Sequence, residues 1–236
     1  MAVLHLKHLH EIPMQKFLIK LSIFFLTFHI AFKCFSENLN LREKEINACS
    51  VEEVITWNDG VDKKTNIPNL TFVYVPGNEP SAFSSQEVTD MVKRAVNAWS
   101  TCGISTQVSV RADPNYSSNN EVMIIWNDAK SMGNIGASDT VHQRLYLSPS
   151  VFKLLKERRP TYDSRYTLQM TLSHEIGHFY GLVAHSKRCV DVLSYYKDAS
   201  GAECTVGSKE EFKRYIEYRS EFPTACDLQR CRRNNQ

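Results

Sequence analysis

The chain has 236 residues and a formal net charge of +2, with 42% hydrophobic and 23% charged residues, 9 Gly and 8 Pro. These values exclude a collagen-like, low-complexity or wholly disordered polypeptide, and the near-neutral charge speaks against a nucleic-acid or anionic-membrane binder. Beyond the first 36 residues no apolar run is long enough to cross a bilayer, which excludes a multi-span membrane protein.

The chain opens on a leader. Met14–Lys20 is a short basic start, residues 21–32 (LSIFFLTFHIAF) are mostly apolar, and Cys34-Phe-Ser36 places small residues at a cut after Ser36. This is the three-part layout of a secretory signal peptide over residues 1–36, with Met14 as an alternative start. Twelve residues are too few to span about 30 Å of hydrocarbon, so no stable membrane insertion is expected after cleavage. Six cysteines remain beyond the leader: Cys49, Cys102, Cys189, Cys204, Cys226 and Cys231. An even number in an exported chain predicts up to three disulfides, with the pairing left open. None shows C-x-x-C spacing, which disfavours a zinc ribbon.

Residues 37–65 form a polar N-terminal segment, a candidate pro-region, with a short predicted strand at Val54–Trp57 ended by the turn Asn58-Asp-Gly60. Leu70–Val75 reads as a stronger strand. Ser84-Ser-Gln-Glu87 is a capping box, and Val88, Met91, Val92, Ala95, Val96 and Trp99 share one helical face, with Gly103 as the stop. Strands are predicted at Ile104–Val110 and Val122–Trp126, an irregular stretch over 127–142, and another strand at Gln143–Leu147. A second helix starts at Asp163 or Ser164 and runs to about Tyr180, and a third runs from Ser208 to about Tyr218. Residues 207–236 thus read as a C-terminal helix followed by a disulfide-stapled tail.

Four of the eight histidines lie in the leader, and three of the other four fall within twelve residues: His174, His178 and His185. His174-Glu-Ile-Gly-His178 sits inside the second predicted helix. Residues four apart stand on one helix face, so two imidazoles can grip one ion while Glu175 reaches a metal-bound water. This is the H-E-x-x-H pattern of zinc hydrolases. Leu168, Leu172, Ile176, Phe179 and Tyr180 form the apolar stripe expected to pack inward.

The longer stretch His174–His185 resembles the extended signature H-E-x-x-H-x-x-G-x-x-H of the metzincin metallopeptidases. Gly181 stands at the family's glycine, where the chain must leave the helix. His185 is one residue late; the family's place is Ala184, which cannot bind a metal. A bulged turn would still deliver His185 as third ligand, and Asp191 is the alternative. Asp191–Tyr196 is similar to the family's Met-turn, as in serralysins and astacins, with Leu193 in place of Met. By resemblance, Tyr195 would ligate the metal at rest and then stabilise the oxyanion.

The resemblance implies an α+β, zincin/metzincin-like fold: a twisted, mostly parallel sheet with three helices, the active-site helix carrying H-E-x-x-H. It covers the order of elements in residues 54–196 and sets a protease domain at 54–206. It implies one catalytic Zn²⁺ held by His174, His178 and His185, Glu175 and Tyr195 as catalytic residues, and a protein or peptide substrate added as a strand near Gly133–Asp139. The expected protein is a monomeric zinc endopeptidase, secreted or, in a bacterium, periplasmic, with no nucleic-acid partner. The rival readings are a non-catalytic metzincin-like binding protein, its site decayed at His185 and Leu193, and a zinc amidase acting on non-protein amides. Cys49 is expected in a disulfide, with a thiolate capping the zinc as the alternative. A calcium loop around Asp128–Asp139 has no motif to support it.

Overall fold

The computed structural model describes residues 41–65, 67, 69–113, 118–198 and 200–236. The predicted leader and its predicted cleavage site lie outside the described residues. Arg42–Gln236 folds as one compact unit.

A five-stranded sheet carries the fold. In chain order the strands are β1 (Asn69–Val75), β2 (Ser105–Val110), β3 (Glu121–Trp126), β4 (Gly136–Asp139) and β5 (Arg144–Leu147), laid side by side as β2-β1-β3-β5-β4. Four strands run parallel, and β4 pairs antiparallel with β5 at the edge, Gly136 opposite Leu147. The sheet is therefore mixed. The α-helices among the described residues are α1 (Leu41–Asn47), α2 (Ser85–Ala98), α3 (Asp128–Ser131), α4 (Pro149–Arg158), α5 (Ser164–Phe179), α6 (Lys209–Phe212) and α7 (Ala225–Asn235). The class is α+β, as the sequence predicts, with more helices than the three expected.

The two-residue period of β1 sends Leu70, Phe72 and Tyr74 into the main core and Val73 and Val75 into a smaller cluster with Met123. Both faces of the central strands are thus apolar, as parallel strands covered on both sides require. In α2, Ser84 caps the helix by accepting the Glu87 N–H, and Val88, Met91, Val92, Ala95 and Val96 are buried. Trp99 is fully buried, and its indole N–H donates to the Ser173 carbonyl at 2.9 Å, tying the C-terminal end of α2 to α5.

Several predicted elements change. Val54–Trp57 is no strand; it contributes a single bridge, Thr56 to Ser186. The stretch 127–142 holds α3 and β4. Ser208–Tyr218 shortens to α6 because Tyr218 is drawn inward: its N–H donates to the Tyr196 hydroxyl and its own hydroxyl to Glu45. Four helices were not anticipated: α1, α3, α4 and α7. In α4, Ser148 caps and Pro149 occupies the first turn. The tail 225–235 is itself helical, capped by Thr224 and Asp227.

The six cysteines form three disulfides, Cys49–Cys226, Cys102–Cys231 and Cys189–Cys204. Two of them fasten α7 to distant parts of the chain, and the pairing of Cys49 overturns its alternative as a zinc-capping thiolate. Among the described residues no helix is long and apolar enough to cross a membrane.

Candidate metal centre

Helix α5 is capped by Asp163, whose side chain accepts the Arg165 N–H. It is buried around nearly its whole girth, not along one stripe, because the sheet, α2 and the segment after Gly181 enclose it. His174 and His178 stand one turn apart near its C-terminal end. The helix ends at Gly181, whose φ is +84° and where a Cβ would lie 1.9 Å from the Lys63 carbonyl oxygen. Only glycine combines that left-handed turn with such an approach.

The chain then swings back and delivers His185. Ligand atoms of His174, His178 and His185 lie within 4.8 Å of one another, and the ring centroids are 4.9 to 5.2 Å apart. The late third histidine thus joins the pair. Its alternative, Asp191, is elsewhere: fully buried, it accepts from the Ser186 and Thr224 hydroxyls and pairs with Arg188. Burial and the charge of Asp227 push the Asp191 carboxyl up to about 7.

Each imidazole is oriented through its Nδ1. His174 Nδ1 lies 2.6 Å from the Val192 carbonyl oxygen, His178 Nδ1 2.7 Å from that of Leu182, and His185 Nδ1 2.7 Å from Asp59 Oδ2. Carbonyl and carboxylate oxygens only accept, so each Nδ1 carries the proton and each Nε2 keeps its lone pair. Burial and the neighbouring His178 and His185 hold His174 well below the usual histidine range. Burial and His178 hold His185 down at about 4, against the pull of Asp59. His174 and His185 are buried and His178 half-buried; clustered imidazoles whose tautomers are fixed in this way are the donor set that Zn²⁺ takes.

The other predicted residues line the same cleft of about 470 Å³. Glu175 is buried, its Oε2 accepts from the Ser138 hydroxyl at 2.7 Å, and burial raises its carboxyl above the usual range. Tyr195 lies stacked on the His185 ring, centroids 3.7 Å apart, and burial lifts its phenol to about 12, so it is neutral at physiological pH. Leu193 is fully buried beneath α5, where a Cβ on Gly177 would come within 3.1 Å of it. Strand β4 forms one wall. Gly136 there is a close approach: a Cβ would stand 2.5 Å from Thr171 Cγ2 and 2.9 Å from Glu175 Cγ.

His142 is exposed and paired with Asp139, a surface residue as expected. In the stretch 128–139, Asp128 accepts from Ser148 and Ser150 at the start of α4, and Asp139 accepts from His142. Sequence reasoning missed Asp59, Ser138 and Arg219, which also lines the cleft. Asp59 reads only as part of a turn, and its partner His185 lies 126 positions away, beyond the reach of any spacing rule.

No family model matches the chain, and no curated protein matches it. Among solved structures it is similar to a chain in the GM1-bound form of the ECX AB5 holotoxin, at 15% identity over 77% of this chain and 86% of that chain, with a TM-score of 0.45.

Proposed function

We propose that this chain is a secreted zinc-dependent endopeptidase of metzincin type. The observation that carries the reading is the set of three Nδ1–H hydrogen bonds, which leave three Nε2 lone pairs converging beside Glu175 in an open cleft. The three disulfides suit an oxidising compartment.

His174, His178 and His185 would hold the zinc, which supplies Lewis acidity to a scissile carbonyl and to a water molecule. Glu175 takes the proton from that water and passes it to the leaving amine, a task suited to a carboxylate whose affinity for protons burial has raised. Ser138 holds that carboxylate by its hydroxyl. Tyr195, neutral and at the cleft, donates to the carbonyl oxygen as charge develops there. The outer edge of β4, which among the described residues pairs only with β5, takes the substrate as an added strand.

Metal analysis together with digestion of a mixed peptide library tests the proposal. It expects one zinc per chain, cleaved peptides, and a Glu175→Gln protein that keeps zinc but cuts nothing. A correctly oxidised sample that is metal-free and recruits no metal refutes it. Zinc without peptide cleavage turns the reading to an amidase.

A further inference from the structure

The third ligand is held by a part of the chain far from it in sequence. Asp59 Oδ1 accepts the backbone N–H of His185 at 2.9 Å while Oδ2 accepts the ring Nδ1–H at 2.7 Å. One carboxylate thus fixes both the backbone and the ring of the same residue. Among the described residues His174 and His178 have no such partner; their rings rest on backbone carbonyls supplied by the turns that follow α5.

The extra residue in the turn is gripped next to it. The Ala184 N–H donates to Asp62 Oδ1 at 3.0 Å, and Arg230 Nη2 donates to the Ala184 carbonyl at 2.6 Å. Asp62 and Arg230 close the ring with an ion pair at 2.8 Å. On either side, Lys63 donates to the Gly181 carbonyl and Trp57 to that of His185. Residues 57–63 therefore lie along the whole turn from the helix end to the third ligand. A turn lengthened by one residue has more ways to miss the metal, and these contacts remove them.

We propose that Asp59 is the positioning residue for the third metal ligand, and that residues 57–63 belong to the working metal site. This rests on the metal reading above. Asp59 fixes the tautomer and direction of the His185 ring, as carboxylates behind metal-binding histidines do. In Asp59→Ala the ring loses this acceptor and the backbone its anchor. In Asp59→Asn the single amide oxygen can replace one of the two bonds.

The test is zinc affinity of the full, oxidised chain by competition with a chelator, alongside the visible absorption spectrum of the cobalt-loaded protein. Asp59→Ala is expected to bind zinc about 10- to 100-fold more weakly and to alter the cobalt spectrum. Asp59→Asn should fall between it and the wild type, and it keeps the test decisive if the alanine variant fails to fold. Variants that bind zinc within twofold of the wild type with an unchanged cobalt spectrum overturn the role of Asp59 alone. A wild-type chain that binds no zinc overturns the metal reading on which it rests.

Discussion

Gly136→Ala probes the wall between β4 and the helix that carries Glu175. The new methyl would stand 2.5 Å from Thr171 Cγ2, 2.9 Å from Glu175 Cγ and 3.0 Å from Glu175 Oε1. Comfortable carbon contacts lie at about 3.5–4.0 Å, so the strand and helix must part by about 1 Å or Glu175 must turn aside. Thr171 is β-branched and fully buried, so it cannot yield by a rotamer change alone. Overpacking of this kind costs about 1–3 kcal/mol. For a domain of this size that is a fall in Tm of about 2–12 °C. Displacing Glu175, the proposed general base, by about 1 Å costs on the order of 10²-fold in kcat/KM. Zinc content should hold, because none of the anchors behind the three histidines involves Gly136. Thermal melting, zinc analysis and peptide-cleavage kinetics on one preparation read all three. A variant that melts and cleaves like the wild type would refute the close-approach reasoning.

Tyr195→Phe keeps the ring stacked on His185 and removes only the phenol; kcat should fall about 10²-fold with KM little changed, and an unchanged kcat would strip Tyr195 of its role. Gly181→Ala places a methyl against the Lys63 carbonyl at positive φ, so a soluble variant should show lowered Tm and weakened zinc binding in a chelator titration. Asp191 gives a pH prediction. Its carboxyl is raised from 3.8 to about 7, so between these values the folded chain binds more protons than the unfolded one. Its contribution therefore favours folding at the acid end and is lost as pH rises toward 7. Denaturant melts of the metal-free wild type and Asp191→Asn should show the wild type losing its advantage across that range; parallel curves would contradict the assignment.

Most of the sheet was legible because the strands β1, β2, β3 and β5 carry local signals: apolar or alternating runs closed by turn residues. The same holds for α2, whose capping box and apolar face are written in consecutive residues, and for His174, Glu175 and His178, where a helical repeat of four converts spacing directly into proximity. Local signals failed where partners at long range decided the outcome. Ser208–Tyr218 has helical propensity but breaks after α6 because Tyr218 finds Tyr196 and Glu45. The helical tail was obscured by its cysteines, whose disulfides reach back to Cys49 and Cys102.

The third histidine of the cluster divides the two kinds of knowledge. The sequence by itself determined that His185 was available one residue late and that Gly181 could turn the chain. Whether the ring arrives depends on Asp59, Asp62 and Arg230, and hydrogen bonds between residues more than a hundred positions apart leave no periodicity to read. Tertiary packing placed His185, not Asp191, beside His174 and His178: burial gave the Asp191 carboxylate its own hydroxyl and guanidinium partners, while the carboxylate of Asp59 holds the His185 imidazole at the cleft.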